Sequence, residues 1–291
     1  MSTAAAVVAM GVGALVVVGW SFDIIWLRRL PPDPIVMLPN TAVGFMMAGL
    51  ALWLLRREEA AVNATRIGRV LAAAVFLLGL ISFVERVTGL DVGIDRLLFP
   101  ERVALFPYRP VGLMATNSTI CFTLAGASLL TLDLETKRGW RPSQLMATAG
   151  LGIATLALVG HLYGASPLYA IDRAAGMALI TTLAFMSLLV GLVLARPDRG
   201  HVALLTAPDL GALLARRLLP ATILVPLLLG WLFLAGREAP VVSREGGAAL
   251  LTITTIAVLL AIVMRSVVVV RAVDRERQRV LEREATARAD A

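Results

Sequence analysis

The chain has 291 residues, 58% of them hydrophobic and only 16% charged, with a formal net charge of +7 and a mean hydropathy of +0.83. Soluble domains are about 45–50% apolar and about 25% charged, so this composition excludes an ordinary water-soluble globule and points to a chain solvated by lipid. The single cysteine, Cys121, excludes an intrachain disulfide.

Eight charge-free apolar windows follow one another: residues 1–22, 35–55, 70–84, 110–132, 142–171, 174–195, 218–236 and 246–264. A membrane helix takes about 20 apolar residues. The third window is shorter and places Arg69 and Glu85 at the two interfaces, where long side chains reach water. The first window holds no Lys or Arg, so it reads as a retained helix and not as a signal peptide. The expected fold class is all-α: a polytopic membrane bundle of about eight transmembrane helices spanning residues 1–271, followed by a cytoplasmic helical linker over 272–291. Of the 27 Lys and Arg residues, 18 fall on the side of the termini. This predicts that both termini lie in the cytoplasm. The basic balance is then that of loops beside anionic lipid, with membrane lipid as a partner and no nucleic acid.

The second and fourth windows repeat one line. In "MLPNTAVGFMMAGLALWLL" and "MATNSTICFTLAGASLLTL", Asn40 falls on Asn117, Thr41 on Ser118, Phe45 on Phe122 and Gly49 on Gly126. A fainter third copy, "LITTLAFMSLLVGLVLARPDRG", has Thr181, Thr182 and Phe185 in the polar, polar and Phe places. Aligning Gly89 with Gly164 also matches Arg86 to His161. The repeats run near 35–95, 110–172 and 174–200. They predict duplicated helix pairs about an axis along the membrane normal.

Two roles suit the Asn, Thr and Ser clusters. They can cap helix starts, as Pro39 also suggests, and glue helices together. They can also line a ligand pocket of Asn40, Thr41, Asn117, Ser118, Thr181 and Thr182, with Glu85, Arg86, His161 and Tyr163 as further candidates. Gly44 with Ala48, and Cys121 with Ala125, have the small-xxx-small spacing of close helix contact. Glu85 and Arg86 read as an interfacial pair or as a charge relay with His161. His161 changes charge near neutral pH. The only other histidine, His201, falls on the opposite side, which excludes a bis-His haem and argues against a metal site. The sole lysine, Lys137, lies in a loop, which excludes a retinal Schiff base. No phosphate loop, nucleophile elbow or HExxH occurs, so no catalysis and no cofactor are expected.

Residues 91–108, with Phe99, Phe106 and Tyr108, read as a surface-lying segment. "HVALLTAPDLGALLARRLLP" reads as an interfacial helix capped by Thr206, with Leu210, Leu213 and Leu214 toward lipid and Arg216 and Arg217 toward headgroups. The last helix continues into "RAVDRERQRVLEREATARADA", with Glu284 and Arg288 at i,i+4. Val270, Val273, Val280 and Ala287 fall on a heptad seam, interrupted by Arg277 and Glu284. This predicts a connector that pairs as a homodimer and is cut off at Ala291 before a further cytoplasmic domain.

Taken in order, "PNTAVGFMMAGLALWLL", "TGLDVGIDRLLF", "HLYGASPLYAI", "GMALITTLAF", "LARPDRG" and "ARRLLPATILVPLLLGW" resemble the multi-helix N-terminal membrane module of bacterial sensor histidine kinases and diguanylate cyclases. The resemblance covers about residues 35–290. Thr116-Asn117-Ser118 departs from the family's Pro-Asn-Thr, and His161 stands where an aromatic is usual. The resemblance implies a signalling input that passes a stimulus through the last helix to a cytoplasmic output domain. From the residues alone, a small-molecule transporter or channel and a membrane scaffold for partner subunits are the alternatives.

Overall fold

A computed structural model describes residues 1–57, 61–94, 97–105, 112–137, 140–170, 176–197, 199–200, 202–203, 210–235 and 251–266. All regular structure among these residues is helical. In chain order the helices are α1 (Ser2–Ser21), α2 (Ile25–Arg28), α3 (Pro39–Leu55), α4 (Val62–Thr88), α5 (Pro100–Ala104), α6 (Thr116–Leu130), α7 (Pro142–Tyr163), α8 (Ser166–Tyr169), α9 (Leu179–Val193), α10 (Leu210–Ala235) and α11 (Leu251–Ser266). Each of the eight apolar windows overlaps one of the longer helices. Four of these are long and apolar enough to cross a membrane: α1, α4, α7 and residues 211–233 of α10. Helices α3, α6 and α9 have only 15 to 17 residues, or roughly 22–26 Å at 1.5 Å per residue. The windows that contain them begin earlier, and Met37, Met114 and Met177, just before the helices, are buried outside any helix.

The chain divides into a unit Met1–Val202 and a unit Ala203–Ala291. In the first, the helices come in three consecutive triplets: long, very short, then intermediate. α1, α3, α4, α6, α7 and α9 form a ring in which each packs on the next and α9 closes onto α1. The intermediate helices α3, α6 and α9 also touch one another across the middle. In each, the seventh residue is phenylalanine, and Phe45, Phe122 and Phe185 meet pairwise with ring centroids 5.0, 4.5 and 4.6 Å apart. All three are fully buried, as are Leu52, Leu129 and Leu192 two turns further along. Residues seven apart share a face, so one side of each inner helix supplies the whole axis of the ring.

Small residues set the distance between inner and outer helices. A Cβ on Gly79 of α4 would stand 2.4 Å from the Thr123 nitrogen, and one on Gly126 of α6 would stand 2.4 Å from the Phe76 nitrogen. Backbone cannot yield as a side chain does. Gly126→Ala is therefore expected to lower stability by about 3 kcal/mol, the upper end of overpacking costs. Gly152, which has nothing within 4 Å of its Cβ position, is the control, and Gly152→Ala should be neutral. Unfolding of both variants in detergent checks this: equal midpoints would show that the close approach of α4 and α6 carries no weight.

Two long helices, α4 and α7, end in glycine. Gly89 (φ 73°) and Gly164 (φ 65°) take the left-handed conformation that closes a helix C-terminus. The second unit contains α10, with Pro220 and Pro226 inside it, and α11. The expected dimer seam, including Arg277, Glu284 and Arg288, lies outside the described residues, as do Phe106, Tyr108, His201, Thr206 and the side chain of Leu210.

Candidate functional site

The start of each inner helix is preceded by a buried methionine: Met37, Met114 and Met177, each eight residues before its phenylalanine. The carbonyl of each is taken by a donor from the long helix of its own triplet. Trp20 Nε1 donates to Met37 O at 2.9 Å, Arg86 Nη2 to Met114 O at 2.6 Å, and His161 Nε2 to Met177 O at 2.8 Å. A carbonyl only accepts, so His161 carries its proton on Nε2 in this contact. Three unlike side chains thus do one job, holding the residue two places before the helix start against the end of the preceding long helix. Two of the three donors are stacked as well. Tyr169 lies face to face on His161, 4.1 Å away and 8° from parallel. Trp20 stacks on Phe99 at 6.5 Å, and the Arg28 guanidinium sits 4.4 Å from its centroid.

The polar candidates surround these methionines. Asn40, Thr41, Asn117, Ser118, Thr181 and Thr182 are all buried. Counted from the helix starts, Thr181 shares the register of Thr41 and Ser118, while Ile180 occupies the asparagine place and Thr182 the place of Thr119. Each of Thr41, Ser118 and Thr181 lies four residues before an axial phenylalanine, so on a helix it shares that face. The asparagines lie one residue earlier and reach sideways. Asn40 Nδ2 donates to Gly112 O at 3.4 Å, and Asn117 Nδ2 to Leu168 O at 3.1 Å. In both cases the acceptor is in the next triplet. The third junction is made the other way round: Asp33 of the first triplet accepts the Leu179 N–H at 2.7 Å and so caps α9. The N-cap of α3 is Leu38, with no side-chain cap bond; Asn40, one residue inside the helix, takes the Thr41 N–H on Oδ1 at 2.7 Å. Asn117 Oδ1, in contrast, has no hydrogen-bond partner. Thr182 bonds back to Ala178 O at 3.1 Å within its own segment.

Glu85 and Arg86, neighbours in the chain, turn to different partners. Helix α4 runs from Val62 to Thr88, well past the short third window, and its phase carries Glu85 inward to 3% exposure. Glu85 Oε1 accepts the Val92 N–H at 2.7 Å, while Arg86 points to the Leu113 and Met114 carbonyls. Arg86 and His161 serve separate carbonyls, as matched positions of successive triplets. Tyr163 is partly buried at the end of α7.

The opposite end of the ring is closed by a residue that charge patterning alone counts only as a loop cation. Arg196, three residues past α9 and 5% exposed, donates to Arg56 O at 2.8 Å, Leu55 O at 3.1 Å and Ala195 O at 3.1 Å, and pairs with Asp133 at 2.8 Å. It joins the ends of all three inner helices. Arg56, Asp133 and Arg196 each follow their phenylalanine by eleven residues. Trp20 and the methionines likewise escape the sequence patterns. The constant distance of the methionines, and of Arg56, Asp133 and Arg196, from the three phenylalanines is a signal that could have found them; Trp20 has none. Among the described residues no group of three or more His, Cys, Asp or Glu side chains could hold a metal ion. No family model matches this chain, and neither a curated protein nor a solved structure is significantly similar to it.

Proposed function

We propose that the chain is the membrane-embedded input module of a bacterial signalling protein, and that it passes a stimulus through α11 to a cytoplasmic output domain. Support comes from the ordered motifs that resemble the membrane modules of sensor kinases and cyclases. One observation carries the reading in the structure: the buried polar layer beside Met37, Met114 and Met177 is where the triplets are bonded to one another, through Asn40, Asn117 and Asp33. A ligand that favours one arrangement of these junctions needs only unequal affinity for two packing states to shift their populations. The same reading places the Arg196 end and both termini in the cytoplasm, makes the eight longer helices eight crossings, and takes the three triplets as copies of one ancestral unit. Signalling through α11 would require a homodimer.

The expected continuation of the gene past codon 291 is an open frame into a phospho-accepting histidine helix or a cyclase domain; an immediate stop codon would overturn the reading. In the full-length protein, Asn40→Leu with Asn117→Leu removes both amide junctions. Interhelical hydrogen bonds in bilayers are worth about 0.6 kcal/mol on average and up to about 1.7, so the ring should survive. Output activity in vesicles should change about fivefold or more, a coupling of about 1 kcal/mol. Unchanged basal output together with an unchanged stimulus response would reduce the asparagines to caps and glue.

A further inference from the structure

We propose that the second triplet holds one small monovalent cation at the methionine end of α4, bound by Glu85 Oε2 and Ser82 Oγ. Both atoms are without a hydrogen-bond partner. Their residues are 3% and 0% exposed. At i and i+3 the two side chains lie on adjoining turns of one helix surface, with Cβ atoms about 5–6 Å apart. The other carboxylate oxygen is already committed to the Val92 N–H. Among the described residues no ion pair to Glu85 is formed, and the adjacent Arg86 sends Nη2 to the Leu113 and Met114 carbonyls. A buried carboxylate without a counter-charge is among the most costly arrangements a membrane protein can hold.

The fold does not require these two oxygens. Glu85 immediately precedes the carbonyl donor Arg86. The residues that precede the matching donors Trp20 and His161 are Gly19 and Gly160, each packed tightly against its own α2 or α8 segment. Ser82 stands four residues before Arg86, where the other triplets have Val16 and Ala157, both fully buried. Two of three otherwise parallel positions are therefore apolar or glycine, and only the second triplet introduces a carboxylate and a hydroxyl. In that triplet Asp91, Val92 and Gly93 follow α4 outside any helix and are at least partly exposed. The site is thus one layer of chain from the surface.

The donor set selects the ligand. Oxygen donors without sulfur or imidazole suit a hard cation, and one carboxylate balances one positive charge. Sodium fits this description. A lipid ammonium headgroup does not fit oxygens enclosed to this degree. The proposal concerns binding alone and stands whether or not the chain signals.

The test uses the purified full chain in detergent. Its unfolding midpoint is followed as sodium chloride replaces choline chloride at constant ionic strength. A ligand that binds only the native state raises stability with its concentration. The wild-type midpoint should therefore rise with sodium, Ser82→Ala should need more sodium for the same rise, and Glu85→Gln, which keeps an acceptor for Val92, should lose the response. A flat wild-type titration, or an equal rise in Glu85→Gln, overturns the site. A wild-type midpoint that moves with pH but not with sodium would assign Glu85 to a proton and overturn the cation. Should Glu85→Gln fail to fold, equilibrium dialysis of the wild type against radioactive sodium decides: one ion bound per chain supports the proposal, and none overturns it.

Discussion

Phe122→Ala should cost the first unit about 2–4 kcal/mol. Burial of a phenylalanine in a soluble core is worth about 3–5 kcal/mol by this substitution, a sum of water transfer and cavity terms. In a bilayer the transfer term shrinks, because the displaced ring would face lipid and not water, and what remains is the lost packing. That loss is large here. Phe122 touches both Phe45 and Phe185, at 5.0 and 4.6 Å, and its ring also fills the space beside Gly44. Aromatic pairs add about 0.5–1.5 kcal/mol each beyond their area. Because each ring belongs to two pairs, a second substitution, Phe185→Ala, should cost less in the Phe122→Ala background than alone. Unfolding of the two single variants and the double variant in one detergent measures this. Strict additivity would mean that the three rings do not act as a unit.

Removal of Arg196 should have the next largest effect, about 2–4 kcal/mol for Arg196→Ala, a sum of one exposed ion pair and two main-chain acceptors. The ion pair is the smaller part: Asp133 is 58% exposed, so the pair itself is worth about 0–1 kcal/mol. The larger part is the main chain. The last carbonyls of α3 lack helical partners, and Arg196 supplies donors to Leu55 O and Arg56 O. A buried acceptor left without its donor costs about 1–3 kcal/mol. The order of severity follows: Arg196→Ala most, Arg196→Lys intermediate because an ammonium cannot fork across the same carbonyls, Asp133→Asn least. Unfolding midpoints of the three variants in detergent check the order. If Asp133→Asn proved as damaging as Arg196→Ala, the guanidinium would be acting through its charge and not through the carbonyls.

Much of the arrangement is legible in the amino-acid sequence. The apolar windows locate the longer helices, and the match of Asn40 to Asn117 and of Phe45 to Phe122 to Phe185 fixes the register of the inner ones. What the windows do not show is where those helices start. Met37, Met114 and Met177 are buried outside any helix, and hydropathy scores a buried residue alike whether or not it is helical. Nor do the windows show the burial of Glu85, which depends on how far α4 continues past its apolar window and on helix phase. Arg196 is illegible for another reason. Its partners Leu55, Arg56 and Asp133 lie 141, 140 and 63 positions away in the chain, and only closure of the ring brings them within reach. The Asn clusters read as caps or as a pocket. Asn40 is a tie between triplets, which local pattern cannot suggest because its acceptor belongs to another triplet.

The closure of α9 onto α1 also frees the ring from its own chain order. The first turn of α1 lies beside the end of α3, where Arg56 bonds the Thr3 hydroxyl, and Arg196 brings the end of α9 to the same place. Ser2 and Ala195 therefore lie at the same end of a cycle that has no terminal helix. A chain recut between α6 and α7, with its old ends joined, would keep every helix-to-helix seam of the cycle. What distinguishes the triplets is then not their place in the sequence but their chemistry: an asparagine at two of the three junctions, Asp33 at the third, and Glu85 buried in the second triplet.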